Sequence, residues 1–241
     1  MKNLEVWQAV LPFPQAVLDI LSEALSDAEW ERASRSAVAE VGTRFRCSRG
    51  LVRHLLGRRL GVPPKEIVID IEEGGRPRLR GPEPCRFSVS HSRDCLVIAI
   101  ADTDWLGIDV EHSRSDTDLA AIVRRFFRPD ERETWEHLDE ASRTAAFLRL
   151  WTRKEAILKA LGLGLTGLDH LSVDPGEAIP QPVRWIAGDP DAPKRWWCHS
   201  WSPTPGFLAT LATTVQPADV SPRLWEPGQT ELFSGFKRGT A

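Results

Sequence analysis

At 241 residues and 41% hydrophobic, the chain is long and apolar enough to bury one large core or two smaller ones, and no apolar run approaches the roughly 20 residues of a membrane span. Its 31 basic and 34 acidic residues leave a net charge of −3, which gives no global attraction to nucleic acid. Four scattered cysteines, Cys47, Cys85, Cys95 and Cys198, form no C-x-x-C pair and have no histidine at ligand spacing, which argues against a zinc site and a disulfide framework.

The opening Met1-Lys2-Asn3-Leu4-Glu5 lacks the order of a signal peptide, so a soluble cytoplasmic protein is expected. Pro14 to about Ala39 reads as one or two helices, with Ser26-Asp27-Ala28-Glu29 resembling a capping box that starts the second. Arg44 to Leu60 is a firmer helix. Phe45, Val52, Leu55, Leu56 and Leu60 recur at three- and four-residue steps, leaving Arg44, Arg49, Arg53 and Arg59 over the other faces. Gly61-Val62-Pro63-Pro64 stops it, Ile67 to Ile71 reads as a strand, and Gly74-Gly75-Arg76-Pro77 is turn chemistry that offers an arginine and free backbone amides.

From Arg86 the pattern becomes β. Phe87-Ser88-Val89-Ser90 alternates, His91-Ser92-Arg93-Asp94 turns, and Cys95 to Ala101 is a nearly continuous apolar run of the kind a buried central strand shows. Asp118 to Phe127 is helical, Pro129 suits the first turn of a short helix, and a long helix covers Ser142 to Leu161 before Gly162 ends it. Leu171 to Val173, Val183 to Ile186, Arg195 to Trp201 and Phe207 to Thr214 are strand candidates. Helices followed by strands thus occur twice, on either side of Trp105. This predicts an α+β protein of two similar halves, residues 1–105 and 106–215, with 216–241 as a loosely attached tail.

Two stretches carry candidate chemistry. In Gly107-Ile108-Asp109-Val110-Glu111, an extended backbone projects Asp109 and Glu111 to one side, their Cα atoms about 6.6 Å apart, and Ile108 and Val110 to the other. Two carboxylates that close invite a hard cation; the plainer alternative is an edge strand with a solvated acidic face. On the long helix, Ala146, Phe147, Leu150, Trp151, Ile157, Leu158 and Leu161 form one apolar stripe with Lys154 near its middle and Glu155 at its edge. Lys159, four residues beyond Glu155, makes either an ordinary helix ion pair or part of a site. A lysine centred on a buried stripe needs an anionic partner. The hydroxyls and imidazole of Ser88-Val89-Ser90-His91-Ser92 can donate to phosphate oxygens or cap their own backbone.

Gly75-Arg76-Pro77, Phe87-Ser88-Val89-Ser90-His91-Ser92, Gly107-Ile108-Asp109-Val110-Glu111, Phe126-Phe127 and Trp151-x-x-Lys154-Glu155-Ala156-x-x-Lys159-Ala160-x-Gly162-x-Gly164-Leu165 occur in the order and approximate spacing of the 4′-phosphopantetheinyl transferases. The chain resembles the larger type, which activates non-ribosomal peptide synthetases, over about Arg44 to Val173. The resemblance implies two pseudo-symmetric α/β halves with the active site between them. It implies Mg²⁺, or Mn²⁺ in its place, on Asp109, Glu111 and Glu155, with coenzyme A as co-substrate. Ser90 and His91 would meet its phosphates, Arg76 would lie near the nucleotide, and Lys159 on the pyrophosphate. Lys154 would bind phosphate or brace Glu155, and Arg44, then Arg49, are the candidates for the 3′-phosphate. The implied reaction moves 4′-phosphopantetheine to a serine of an apo acyl or peptidyl carrier protein and releases 3′,5′-adenosine bisphosphate. Asp109, Glu155 and Lys159 would be the catalytic residues, with Glu155 as the base. A monomer is expected, with no nucleic-acid or membrane partner. Two alternatives stand beside this one: a metal-dependent hydrolase of coenzyme A or another nucleotide pyrophosphate, and a non-catalytic carrier-binding module, which would not need three converging carboxylates.

Overall fold

The computed structural model describes residues 3–72, 75–81, 85–113, 118–214 and 220–229. Of the predicted features, Gly74 and tail residues 216–219 and 230–241 lie outside them. The α+β reading holds: helices and two four-stranded sheets are interleaved along the chain.

The N-terminal segment forms β1 (Glu5–Val10), α1 (Gln15–Ser22), α2 (Asp27–Ser34) and α3 (Ala39–Leu60), followed by β2 (Val68–Ile71) and β3 (Pro77–Arg80). The capping box is present: Ser26 Oγ accepts from Glu29 N, and Glu29 Oε2 accepts from Ser26 N at 2.9 Å. Helix α3 begins five residues before the predicted Arg44. Its extra turn is held by a Glu40–Arg44 ion pair and carries an exposed Val41, so it has no apolar period to read. Strands β4 (Cys85–Ser92) and β5 (Cys95–Asp102) are a hairpin whose two-residue turn is Arg93-Asp94, with Arg93 at φ 51°. His91 and Ser92 therefore belong to the strand and pair with Leu96 and Cys95, where a turn was expected.

The apolar run of β5 is explained by two cores. Leu96, Ile98 and Ile100 pack with Leu51, Leu55 and Leu56 of α3, whereas Val97, Ala99 and Ala101 pack with Ile108, Val110, Ala209 and Leu211 of the second sheet. Strand β1 is used the same way, Trp7 in the first core and Val6 in the second.

Beyond Trp105 come β6 (Leu106–His112), α4 (Leu119–Phe126), α5 (Pro129–Glu136) and α6 (Glu140–Leu161), then β7 (Leu171–Ser172), β8 (Gln181–Pro182), β9 (Trp185–Ile186), α7 (Ala192–Arg195), β10 (Trp197–Trp201) and β11 (Phe207–Thr213). The second sheet has the order β6-β11-β10-β8. Helix α6 starts at an Asp139 N-cap and stops at Gly162, which takes φ 73° as a left-handed C-cap. The tail expectation needs correcting. Strand β12 (Arg223–Leu224) pairs in parallel with Trp7 and Gln8, completing the first sheet as β12-β1-β5-β4. Trp225 is 1% exposed with its ring 4.4 Å from Phe13, so this part of the segment is a strap on the first core.

Candidate active site

Alternation does on β6 what the sequence requires. Ile108 and Val110 are 0% and 1% exposed in the core between the sheets, and Asp109 and Glu111 share the other face, against α6. That helix comes unusually close. A Cβ on Gly107 would sit 1.9 Å from the carbonyl oxygen of Ala156, so only glycine lets α6 settle with Glu155 beside the strand.

Strands β4 and β6 meet through serines at alternate positions of β4. Ser88 Oγ accepts from Ile108 N at 3.0 Å, Ser90 Oγ donates to Asp109 Oδ1 at 2.8 Å, and Ser92 Oγ donates to Glu111 Oε2 at 2.8 Å. Lys159 Nζ donates to both Ser90 Oγ and Asp109 Oδ1, each at 2.7 Å. The Ser90 proton, expected on a phosphate, is therefore committed to Asp109 in this arrangement.

Burial, the neighbouring Asp109 carboxylate and, more weakly, Glu111 push the Glu155 carboxyl up from 4.5 to about 7, with Lys159 opposing. Asp109 is 3% exposed, and its Oδ2 has no hydrogen-bond partner among the described residues. No group of three His, Cys, Asp or Glu side chains among the described residues already forms a metal cage. The donor set nevertheless fits a hard divalent ion: three carboxylates, one buried oxygen unpaired among the described residues, and one proton affinity raised by burial and then by the other two carboxylates.

This seam separates two cavities. One, of about 290 Å³, is lined by Glu155, Leu158, Lys159, Ser88 and the Gly75-Arg76-Pro77 turn. The other, of about 170 Å³, is mostly apolar: Leu119, Ile122, Phe147, Leu148 and Trp151, with Glu111 and His112 at its edge. A third, of about 190 Å³, lies against Ser90 and His91 and is lined by Arg32, Phe45, Ser48 and Arg49.

The structure sorts the remaining candidates. Lys154 does have the anionic partner its stripe demanded, but that partner is Glu131 on α5. Its ammonium is 0% exposed and donates to Glu131 Oε2 at 2.7 Å and to the Leu171 carbonyl at 2.8 Å. In this arrangement it ties α6 to α5 and β7 and makes no bond to Glu155. Phe127 lies 5.6 Å below that ammonium and stacks on Phe147, which places the Phe126-Phe127 motif in the same core. Arg76 caps the C-terminus of α6 by donating to the Ala160 carbonyl at 2.7 Å while lining the cavity beside Glu155. Arg44 is turned away. It bonds Glu40 and the Arg93 carbonyl and lines a separate open pocket with Asp94, His112 and Phe207. Arg49, the second candidate, is the better placed: 8% exposed, in the cavity of Ser90 and His91, with Nη1 lacking a hydrogen-bond partner among the described residues.

Carboxylates, a lysine and a half-satisfied arginine gathered around one seam equip an enzyme for phosphorylated substrates. Residues 106–213 match the 4′-phosphopantetheinyl transferase superfamily. The chain is 35% identical to the 4′-phosphopantetheinyl transferase HetI of Nostoc sp. over 174 residues, covering 71% of this chain and 73% of that protein. It is 30% identical to a 4′-phosphopantetheinyl transferase of Bacillus subtilis over 64% of this chain and 68% of the relative, and 34% identical to psf-1 of Bacillus pumilus over 48% of each. The chain belongs to the 4′-phosphopantetheinyl transferase superfamily and is thereby a transferase.

Proposed function

We propose that this protein transfers the 4′-phosphopantetheine group of coenzyme A to a serine of an apo carrier protein, releasing 3′,5′-adenosine bisphosphate. The observation that carries this is the seam itself: Asp109 with a buried oxygen unpaired among the described residues, Glu155 with its carboxyl raised to about 7, and Lys159 bonded to both Ser90 of β4 and Asp109 of β6.

Asp109, Glu111 and Glu155 would hold Mg²⁺; when bound, the ion supplies positive charge against the pyrophosphate oxygens. The serine oxygen attacks the β-phosphorus as the bond to the leaving bisphosphate breaks. Lys159 offsets charge on the phosphate oxygens once these compete with Asp109 for its ammonium. Glu155 takes the serine proton, directly or through water. Arg49 takes the first place for the 3′-phosphate ahead of Arg44, with His91 beside it.

The apolar cavity on the Glu111 side favours a protein acceptor over water and so favours transfer over hydrolysis. The two halves are proposed to be pseudo-symmetric, meeting near Trp105. Each carries a 22-residue helix, α3 or α6, and the first half supplies three strands of one four-stranded sheet, β12 being the fourth, while the second half supplies all four of the other, which supports that reading. Among the described residues no helix is long and apolar enough to cross a membrane; a cytoplasmic monomer remains part of the proposal. Incubation with coenzyme A, Mg²⁺ and an apo carrier protein, followed by mass spectrometry of the carrier, tests it. The carrier should gain one phosphopantetheine. Coenzyme A cleaved with the carrier unmodified would point to the hydrolase.

A further inference from the structure

Buried Arg49, in the cavity of Ser90 and His91, is flanked by a carboxylate that also belongs to the capping box of α2. Glu29 sits at the third position of α2, where its backbone N–H and carboxylate are tied reciprocally to Ser26. The same carboxylate faces two guanidinium groups of α3. Its Oε2 accepts from Arg53 Nε at 2.7 Å, and its Oε1 lies 3.5 Å from Arg49 Nε. Arg53 is itself pinned, donating to the carbonyls of Ile67 at 2.6 Å and Pro64 at 3.2 Å. The chain of support thus runs from the loop after α3, through Arg53 and Glu29, to Arg49. Arg49 is held on its Nε edge, with Nη1 buried and without a hydrogen-bond partner among the described residues. The guanidinium groups of Arg49 and Arg32 also lie over the Phe45 ring, at 5.7 and 4.9 Å. One carboxylate among Arg32, Arg49 and Arg53 leaves this corner net positive. Burial alone would lower the charge preference of Arg49, and Glu29 is the group that opposes it.

We propose that Glu29 is a positioning residue for phosphate discrimination: by holding the Nε edge of Arg49 it points the free Nη1 at a phosphate monoester on the ribose of the nucleotide. This rests on the reading of the cavity lined by Ser90, His91 and Arg49 as the coenzyme A site. Without Glu29, Arg49 stays charged and near the cavity but loses its orientation, so the gain from the extra phosphate falls while the rest of the nucleotide binds as before.

The test is calorimetric binding of two probes, 3′,5′-adenosine bisphosphate and adenosine 5′-monophosphate, to the full chain. A charge-assisted contact of this kind corresponds to a preference for the bisphosphate of about 10- to 100-fold. Glu29→Gln should reduce that preference to about threefold or less while leaving monophosphate affinity within about twofold. Glu29→Asp, which keeps the charge but withdraws it by one methylene, should fall between and serves if Glu29→Gln does not fold. Ser26→Ala, which removes only the cap, should lower the melting temperature and leave the preference intact. An unchanged preference in the folded Glu29 variants, or an equal loss for both probes, overturns the positioning role. A wild type that does not distinguish the probes overturns the assignment of the cavity instead.

Discussion

Glu155→Gln tests the carboxylate seam without any carrier protein. The Glu155 carboxyl is raised from 4.5 to about 7, chiefly by burial and then by Asp109. The folded protein therefore holds that proton more tightly than the unfolded chain. Below about 4.5 both states are protonated and there is no penalty. As pH rises to 7 the unfolded chain ionises first and the fold loses stability, and above 7 the loss is complete. At about 1.4 kcal/mol per unit the full shift amounts to roughly 3 kcal/mol. Glu155 is not sealed from water, and screening reduces this to about 1–2 kcal/mol. For a chain of this size that corresponds to a melting-temperature difference of about 3–6 °C. In thermal melts with EDTA, Glu155→Gln should match the wild type at pH 4.5 and exceed it by this amount at pH 8, while losing most of the rise produced by Mg²⁺ plus coenzyme A. A plain Glu155–Lys159 helix pair predicts the reverse sign, a loss of about 0.2–0.5 kcal/mol at pH 8 with the ligand-induced rise preserved. That result would refute the reasoning.

Other perturbations separate the site from its supports. Gly107→Ala places a methyl against the Ala156 carbonyl, so α6 must shift; about 1–3 kcal/mol of stability and most of the activity should go, measured by denaturant melts and carrier modification. Lys154→Met leaves the buried Glu131 carboxylate without its cation and should cost about 3–5 kcal/mol, whereas Glu131→Gln combined with Lys154→Met, which removes the charge but keeps an acceptor for the backbone N–H groups of Arg128 and Val173, should recover part of it; a stable single variant that merely binds coenzyme A weakly would return Lys154 to the phosphates. Arg49→Ala should weaken coenzyme A about 10-fold or more relative to dephospho-coenzyme A, and Arg44→Ala should leave that ratio near its wild-type value; steady-state KM for each cofactor decides between them.

What could be read from the sequence was what short periods encode. A period of two on Gly107-to-Glu111 placed the carboxylates on one face, and a helical stripe put Lys154 where an anion had to meet it. The identity of that anion was not readable. Glu131 lies on a separate short helix and reaches Lys154 only through packing. Ser88, Ser90 and Ser92 looked like phosphate donors because their alternation says that they share a face but not that β6 lies across from it. Arg44 and Arg49 occupy one helix at five residues' spacing, and only the fold shows that they open into different cavities. Trp225 stands in a short proline-interrupted stretch with no period around it, so its burial against Phe13 leaves no local mark. Strand β1, which alternates between two cores rather than between core and water, is hidden for the same reason as the two faces of β5 are hidden in one apolar run.

The most direct test of the central claim is the mass of an apo carrier protein after incubation with this protein and coenzyme A, with Mg²⁺ or with EDTA. The account predicts a phosphopantetheine adduct with Mg²⁺, its loss in EDTA, and its loss with Asp109→Ala in either condition. Undiminished modification in EDTA, or full activity of Asp109→Ala, would contradict it.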